Sequence, residues 1–265
     1  MFGFYAGLDL GQQQDFTALS VIEPQYYLGA KLAAAFGVGS PHDYQPGWIS
    51  PTDPRFTRSQ MARLYNSNEP MPSKPPMHVR HLQRFDLGTP YPRIVTEVTR
   101  LLMRRQIKDR GFALVIDATG VGLAVVDLFR EAGLRPVAVT ITGGQRAHRD
   151  GQSWNVPKRD LVGSAQAALQ SDRLKIAASL PEAQTLRDEL RSFKVKINER
   201  TGHDSYSAWR ERDHDDQVLA VAMACWYRDR YMRRHDAART MHTSRVTRIE
   251  QERPLSRVER LLGRH

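Results

Sequence analysis

The sequence predicts an α/β domain in which a mixed β-sheet is flanked by α-helices. Three observations lead there. Residues 4–11 and 16–23 both alternate apolar and small or polar side chains and read as a hairpin. The almost wholly apolar run Phe112 to Asp117 is followed by a helix, Leu123 to Ala132, and a further strand, Arg135 to Ile141. Strand, helix, strand implies a parallel crossover. A late Ala-rich helix, from about Asp213 to Arg230, is apolar almost all round between Val218 and Trp226 and so suits packing against a sheet.

At 265 residues the chain suits one large domain or two small ones and is long enough to bury a sizeable core. Its one cysteine, Cys225, lies in an apolar run, which excludes an internal disulfide and a cysteine metal cluster and points to a reducing compartment. No apolar run reaches membrane-spanning length, and Met1 to Gly11 lacks a basic lead and a cleavable signal pattern. A cytoplasmic protein, neither secreted nor membrane-bound, is expected. The formal net charge is +10, from 39 Lys and Arg against 29 Asp and Glu. Residues 228–265 hold eleven Arg and five acids, a net +6, so the rest carries only +4. Such a chain favours polyanions, nucleic acid most simply, although a solvated basic tail accounts for the charge equally well.

In the first strand Phe4, Ala6, Leu8 and Leu10 share one face and Asp9 points to the other, between Gly7 and Gly11. Those glycines leave room for something bulky, such as an ion and a phosphate. Residues 12–15 make a polar turn, with Asp15 closing it. From Pro24 to Pro76 the pattern dissolves among prolines at 41, 46, 51, 54, 70, 72, 75 and 76, and only Gln60 to Tyr65 hints at a helical turn. A long surface excursion is expected. Met77 to Leu87 returns to strand-like alternation. Gly88 to Pro92 is a turn, and the helix after it, to about Lys108, carries apolar residues at 94, 95, 98, 101 and 102.

The run ending at Asp117 fits a strand buried on both faces. Ligands in parallel sheets bind beyond the carboxyl ends of the strands, where Asp117 falls. The alternative is that Asp117 caps the next helix. Gly120-Val121-Gly122 lacks the third glycine of a dinucleotide fingerprint, and the chain carries no P-loop. Gly143 to Asn155 reads as a loop. Val156-Pro157-Lys158-Arg159-Asp160-Leu161 opens a helix to about Ser171, with Lys158 and Arg159 placed against the helix dipole. A nearby phosphate explains them, as does a solvated turn. Leu174 to Ala177 is a short strand and Pro181 to Phe193 a helix with Leu186, Leu190 and Phe193 on one stripe. Lys194 to Asn198 and Tyr206 to Trp209 suggest a hairpin around Gly202. Arg210 and Arg212 then lead into Asp213-His214-Asp215-Asp216.

Acids in a first helical turn are favoured by the macrodipole at about 0.3–1 kcal/mol each, which accounts for one of these comfortably. It does not account for three acids and His214 beside a buried helix while Asp9 and Asp117 sit on core strands. Gathered carboxylates raise one another's pKa, and divalent cations remove that cost. All-oxygen ligand sets select hard ions such as Mg²⁺ or Mn²⁺. Two such ions activate a water and stabilise the leaving oxygen of a phosphodiester, so metal-assisted hydrolysis of nucleic acid is the reaction class that fits.

The chain resembles the nuclease domain of phage terminase large subunits, a family with a ribonuclease H-like fold that cuts DNA during genome packaging. The resemblance rests on Gly7-Leu8-Asp9-Leu10-Gly11 with Asp15-Phe16-Thr17-Ala18, then Arg84-Phe85-Asp86-Leu87-Gly88-Thr89-Pro90-Tyr91. It continues through Ile116-Asp117-Ala118-Thr119-Gly120-Val121-Gly122, Val156 to Leu161, and His214-Asp215-Asp216 with the Ala-rich helix. It spans about residues 5–230 apart from the Pro-rich excursion. It implies that Asp9 and Asp117 match the first two metal-binding acids. The third acid falls on the Asp215-Asp216 pair, Asp216 in the principal role and Asp215 as a second ligand or water-positioner. Mg²⁺ or Mn²⁺, two ions, and double-stranded DNA are implied as cofactor and substrate. Lys158, Arg159, Arg210 and Arg212 are candidate phosphate contacts.

Such subunits usually carry a packaging ATPase ahead of the nuclease. Here the expectation is a nuclease half, residues 1–230 with the insertion 24–76, followed by a basic tail, 231–265. It would work beside a separate motor, a small terminase subunit or a portal. Three other readings compete. Gly7 to Gly11 with Thr17 also resembles the first phosphate-binding hairpin of actin-like sugar kinases. A Holliday-junction resolvase has a similar acid set. A non-catalytic DNA-binding or packaging module fits the Arg-rich tail.

Overall fold

The computed structural model describes residues 2–11, 15–36, 47–65, 74–199 and 215–231. The chain opens with β1 (Phe4–Asp9), β2 (Ala18–Pro24), β3 (Tyr26–Leu28), α1 (Ala30–Ala35), β4 (Gly47–Ile49), α2 (Arg58–Tyr65) and β5 (Met77–Arg84). Next come α3 (Tyr91–Leu102), α4 (Arg105–Lys108), β6 (Phe112–Asp117), α5 (Gly122–Glu131) and β7 (Val137–Thr142). The chain continues with β8 (His148–Asp150), β9 (Ser153–Pro157), α6 (Lys158–Gln170), β10 (Leu174–Ile176), α7 (Ala183–Glu199) and a final helix, α8 (216–231).

Eight strands form one sheet in the order β10-β5-β2-β1-β6-β7-β9-β8. β1 is antiparallel to β2 and parallel to β6, β5 is antiparallel to β2, and β6, β7 and β9 run parallel. This is a mixed sheet flanked by helices. The alternation in β1 explains its two faces. Phe4, Ala6 and Leu8 join Leu114 and Ile116 of β6 under α3 (Ile94, Val98, Leu102) and α5 (Val125, Val126, Phe129). On the other face Val115, Val139 and Val156 pack against Leu161 and Ala165 of α6 and against Ala222, Met223 and Trp226 of α8. Trp154 and Trp226 meet edge to face at 5.7 Å.

Gly7 sits mid-strand, paired with Ser20 and Val115, and its missing side chain lets α8 touch the sheet. A Cβ there would fall 1.9 Å from the Ala220 carbonyl oxygen. A Cβ at Gly11 would fall 2.1 Å from the carbonyl oxygen of Asp15. The glycines around Asp9 therefore do not hold space for an ion and a phosphate, as the sequence suggested. Protein backbone fills that space.

Three further expectations are corrected. Part of the 24–76 excursion is ordered structure: β3 and β4 pair antiparallel, α1 and α2 accompany them, and Leu28, Ile49, Phe56, Met61 and Leu64 are buried. Glu23 at the end of β2 fastens it, accepting the Ser50 hydroxyl at 2.6 Å and the Thr52 hydroxyl at 3.0 Å while pairing with Arg80. Elements this short show too few repeats for periodicity to detect between prolines. Residues 143–155 hold a hairpin, β8 and β9 turning at Gly151 (φ +55°), so Val156 and Pro157 finish a sheet strand and the helix starts at Lys158. Lys194 to Asn198 continue α7, a five-residue alternation being ambiguous between helix and strand. The partner strand expected at 206–209 lies outside the described residues.

By its internal contacts the chain divides into a unit Met1–Tyr227 and a second unit Arg228–His265, of which 228–231 are described. Among the described residues no helix is long and apolar enough to cross a membrane.

The Gly7–Ala220 approach generates a stability prediction. Gly7→Ala forces backbone apart and should cost about 1–3 kcal/mol or more in urea unfolding. Gly143→Ala, where the added methyl meets nothing within 4 Å, should stay within about 0.5 kcal/mol of wild type. Equal stabilities for the two variants would contradict the helix–strand contact.

Candidate active site

β1 and β6 are neighbouring parallel strands, with Leu8 opposite Ile116, so Asp9 and Asp117 emerge side by side at their carboxyl ends. Asp9 is buried, 6% exposed, on the face that Gly7 turns to α8. Its pKa is raised well above the ordinary carboxylate value. Desolvation is the main cause, the charges of Asp117, Asp216 and Asp215 add to it, and Lys158 opposes them. The four acids singled out in the sequence thus act on one another in one place.

Asp117 does not cap α5, whose N-cap Val121 makes no side-chain cap hydrogen bond; it closes the turn before the helix instead. Its Oδ1 accepts the Thr119 N–H at 2.8 Å and the Thr119 hydroxyl, and Thr119 Oγ1 accepts the Ile141 N–H of β7 at 3.0 Å. The carboxylate holds the β6–α5 turn and stands beside Asp9 at once. Gly122 is required by proximity, since a Cβ there would lie 2.3 Å from the Asp117 carbonyl oxygen. Gly120-Val121-Gly122 is explained by this turn.

Asp216 opens α8 and is 5% exposed. Its pKa is pushed up to about 7, by burial first and then by Asp215 and Asp15, against Arg84 and a hydrogen bond from the Phe16 N–H. The loop behind it is built from the sequence on either side of the first turn. The Gly11 N–H donates to Thr17 Oγ1 and the Tyr91 hydroxyl to the Gly11 carbonyl, both at 3.1 Å, and the Arg84 guanidinium covers the Phe16 ring at 4.3 Å. Asp15 is exposed, yet its charge reaches Asp216.

Asp215 binds the Lys158 ammonium, Nζ to Oδ2 at 2.7 Å, with the two side chains 20% and 10% exposed. Lys158 is therefore engaged at the acid cluster. Arg159, one residue on, turns to the Gln145 carbonyl and to Gln145 Oε1 (3.0 Å) on the surface. Arg210, Arg212 and His214 lie outside the described residues.

Two participants went unrecognised in the sequence. Arg84 was only part of a motif, and nothing local marked it. Glu189 of α7 is 8% exposed, and its Oε2 accepts the Val218 N–H at 3.0 Å at the start of α8. Burial pushes its pKa up to about 8, with Asp216 and Asp215 adding to the effect. The available signal was an acid on the apolar stripe of Leu186, Leu190 and Phe193.

Among the described residues no group of three or more His, Cys, Asp or Glu side chains is gathered closely enough to hold a metal ion as it stands. The donor chemistry nevertheless fits a hard divalent cation. Four carboxylates share a desolvated corner, and the cost shows in the raised Asp9 and Asp216. Lys158 supplies the positive charge that faces the cluster.

The fold and this corner define an α/β protein with acids at the carboxyl ends of adjacent parallel strands. Searches with protein-family models and against curated proteins gave no match. Among solved structures the chain is similar to nuclease domains of large terminases. One is the large terminase nuclease from thermophilic phage G20c with bound zinc, at 16% identity and a TM-score of 0.43, covering 84% of this chain and 80% of that one. A second structure of the G20c nuclease gives 14% and 0.44, over 84% and 81% of the two chains. The manganese-soaked human cytomegalovirus terminase nuclease domain gives 11% and 0.42, over 85% and 83%.

Two measurements probe the electrostatics. A carboxylate whose folded pKa is raised stabilises the fold below its unfolded pKa, and that contribution is lost as pH rises through the folded value. In EDTA, stability should fall between about pH 4 and about pH 7. Asp216→Asn should flatten that slope in urea unfolding followed across pH, and a variant slope equal to wild type would refute the assignment. Lys158→Met leaves Asp215 unbalanced among acids. Removing one partner of a fully buried pair costs about 3–5 kcal/mol. Asp215 keeps a fifth of its side-chain surface in water, so about 2–3 kcal/mol is expected in EDTA near neutral pH. Adding Asp215→Asn should restore most of that loss, and additive losses would show that the two residues do not pair.

Proposed function

We propose that the protein is a metal-dependent endonuclease that hydrolyses phosphodiester bonds of double-stranded DNA, cutting viral DNA during genome packaging. The observation that carries this reading is the convergence of Asp9, Asp117, Asp215 and Asp216 at one corner, where burial first and then the charges of the other three raise the pKa of Asp9. Asp9, Asp117 and Asp216 are the principal ligands of two Mg²⁺ or Mn²⁺ ions, with Asp215 as a further ligand. Ions bound there supply the activation of water and the neutralisation of charge at the leaving oxygen.

The chain's own residues do the rest. Asp117 holds its turn through Thr119, so its carboxylate is oriented before any ligand arrives. The Phe16 N–H orients Asp216. Lys158 keeps a positive charge at the cluster, within reach of the phosphate being cut. Arg159 at the surface contacts DNA phosphates, and Arg210 and Arg212, which lie outside the described residues, are assigned the same role from the sequence. These contacts carry no base information, so sequence preference is weak. The net charge of +10 favours the same substrate. A packaging ATPase, a small terminase subunit and a portal are the partners such a nuclease works with, in the cytoplasm of an infected or prophage-bearing cell.

The test is plasmid cleavage with Mg²⁺, Mn²⁺, Ca²⁺ or EDTA, on wild type, Asp9→Ala and Asp216→Ala. Cleavage with Mg²⁺ or Mn²⁺ that falls by at least about 10³-fold in both variants, with their circular dichroism intact, is the expected result. Cleavage persisting in both variants would sink the site assignment. Absence of both cleavage and any Mn²⁺-dependent stabilisation would favour a DNA-binding module instead.

A further inference from the structure

A helix leaves its first four N–H groups without intrahelical partners. α8 starts after Asp215, whose carbonyl accepts the Leu219 N–H at 2.9 Å. The N–H groups of Gln217 and Val218 fall in that open turn. Both residues are buried, at 0% and 1% exposure, so water does not serve them. Glu189 of α7, 29 residues away from Val218, serves them instead. Its Oε2 accepts the Val218 N–H at 3.0 Å, and its carboxyl also takes the Gln217 N–H. The second oxygen, Oε1, is buried without a hydrogen-bond partner among the described residues. An acid placed beside Asp215 and Asp216 works against electrostatics, so what it does there must outweigh that cost.

We propose that Glu189 is a positioning residue of the acid cluster: by capping Gln217 and Val218 it sets the height at which α8 presents Asp215 and Asp216 to Asp9. The inference rests on the metal-site reading above. Asp216 directly precedes the two capped residues, and the helix advances about 1.5 Å per residue. A working constellation tolerates only about 0.5 Å of error. A slip of α8 by even one residue along its axis would therefore remove Asp216 from its place. Phe16 and Lys158 grip the two acids by their side chains. Glu189 grips the backbone that carries them.

The experiment compares wild type, Glu189→Gln, Glu189→Leu and Asp9→Asn by amide hydrogen exchange in EDTA and by calorimetric titration with Mn²⁺. Glu189→Gln keeps an acceptor oxygen, so protection at 217 and 218 and Mn²⁺ affinity should stay near wild type. Glu189→Leu removes the acceptor. Exchange at those two amides should rise, and Mn²⁺ affinity should fall about 10–100-fold, while β6 amides remain protected. Unchanged exchange or unchanged affinity in Glu189→Leu overturns the proposal, as does equal damage in Glu189→Gln. Should Glu189→Leu fail to fold, Glu189→Asp, one methylene shorter, must show the same losses in smaller measure, and wild-type behaviour there overturns it. Mn²⁺ binding that Asp9→Asn abolishes and Glu189→Leu leaves intact defeats this inference alone. Wild type that takes up no Mn²⁺ defeats the metal-site reading and this inference with it.

Discussion

How near a helix can come to the central strand is decided at Gly7. With no side chain there, the Ala220 carbonyl rests against β1, and the Ala-rich stretch of α8 lies close along the sheet. Asp9 is two residues beyond Gly7 on the same face, and Asp216 is four residues before Ala220. One close contact therefore brings together acids that are 207 positions apart in the chain. A larger residue at 7 would lift the helix and separate them. Packing of Trp154 on Trp226 and of Met223 over β6 and β7 extends the same interface without setting its closest point.

Bringing carboxylates into a desolvated corner is unfavourable, and the surroundings limit that cost in distinct ways. Asp117 gives one oxygen to its own turn. Asp215 is matched by Lys158. Asp216 receives a backbone N–H and the field of Arg84. At Asp9 burial and three neighbouring acids all raise the pKa, and only Lys158 opposes them. A divalent cation would remove several such repulsions at once, whereas a single lysine removes one.

The scaffold that delivers these groups is distributed. The β1–β2 turn, the carboxyl end of β6, the first turn of α6, the middle of α7 and the first turn of α8 each contribute one or two polar groups. The sheet order explains why they converge. β1 and β6 are central and parallel, so their carboxyl ends open to the same edge, and helices packed on one face reach that edge by their ends. The segment fastened by Glu23 through Ser50 and Thr52 is joined at the opposite end of β2, where Pro24 pairs with Met77.

Alternation in residues 4–11, the apolar run to Asp117, the stripe of α3 and the Ala-rich final helix were all readable locally, because burial on one or two faces leaves a period in the residues themselves. The acids stood out for the same reason: Asp9 and Asp117 interrupt core strands, and Asp215 and Asp216 head a buried helix. The β8–β9 hairpin and the short elements of the insertion were not readable, since strands of three to five residues with mixed exposure carry no resolvable period. Lys158 illustrates the division. Sequence marked it as a misplaced charge at a helix start, and only the fold turned it toward Asp215. Glu189 goes further, its partner N–H groups lying on another helix, and the charge of Arg84, at the end of β5, acts on Asp216. By itself the sequence determined the sheet-and-helix class and the identity of four acids, because those follow from side-chain periodicity and composition. The tertiary structure decided which charges oppose which, how close α8 lies to β1, and that the glycines admit backbone, because these depend on distances between segments far apart in the chain.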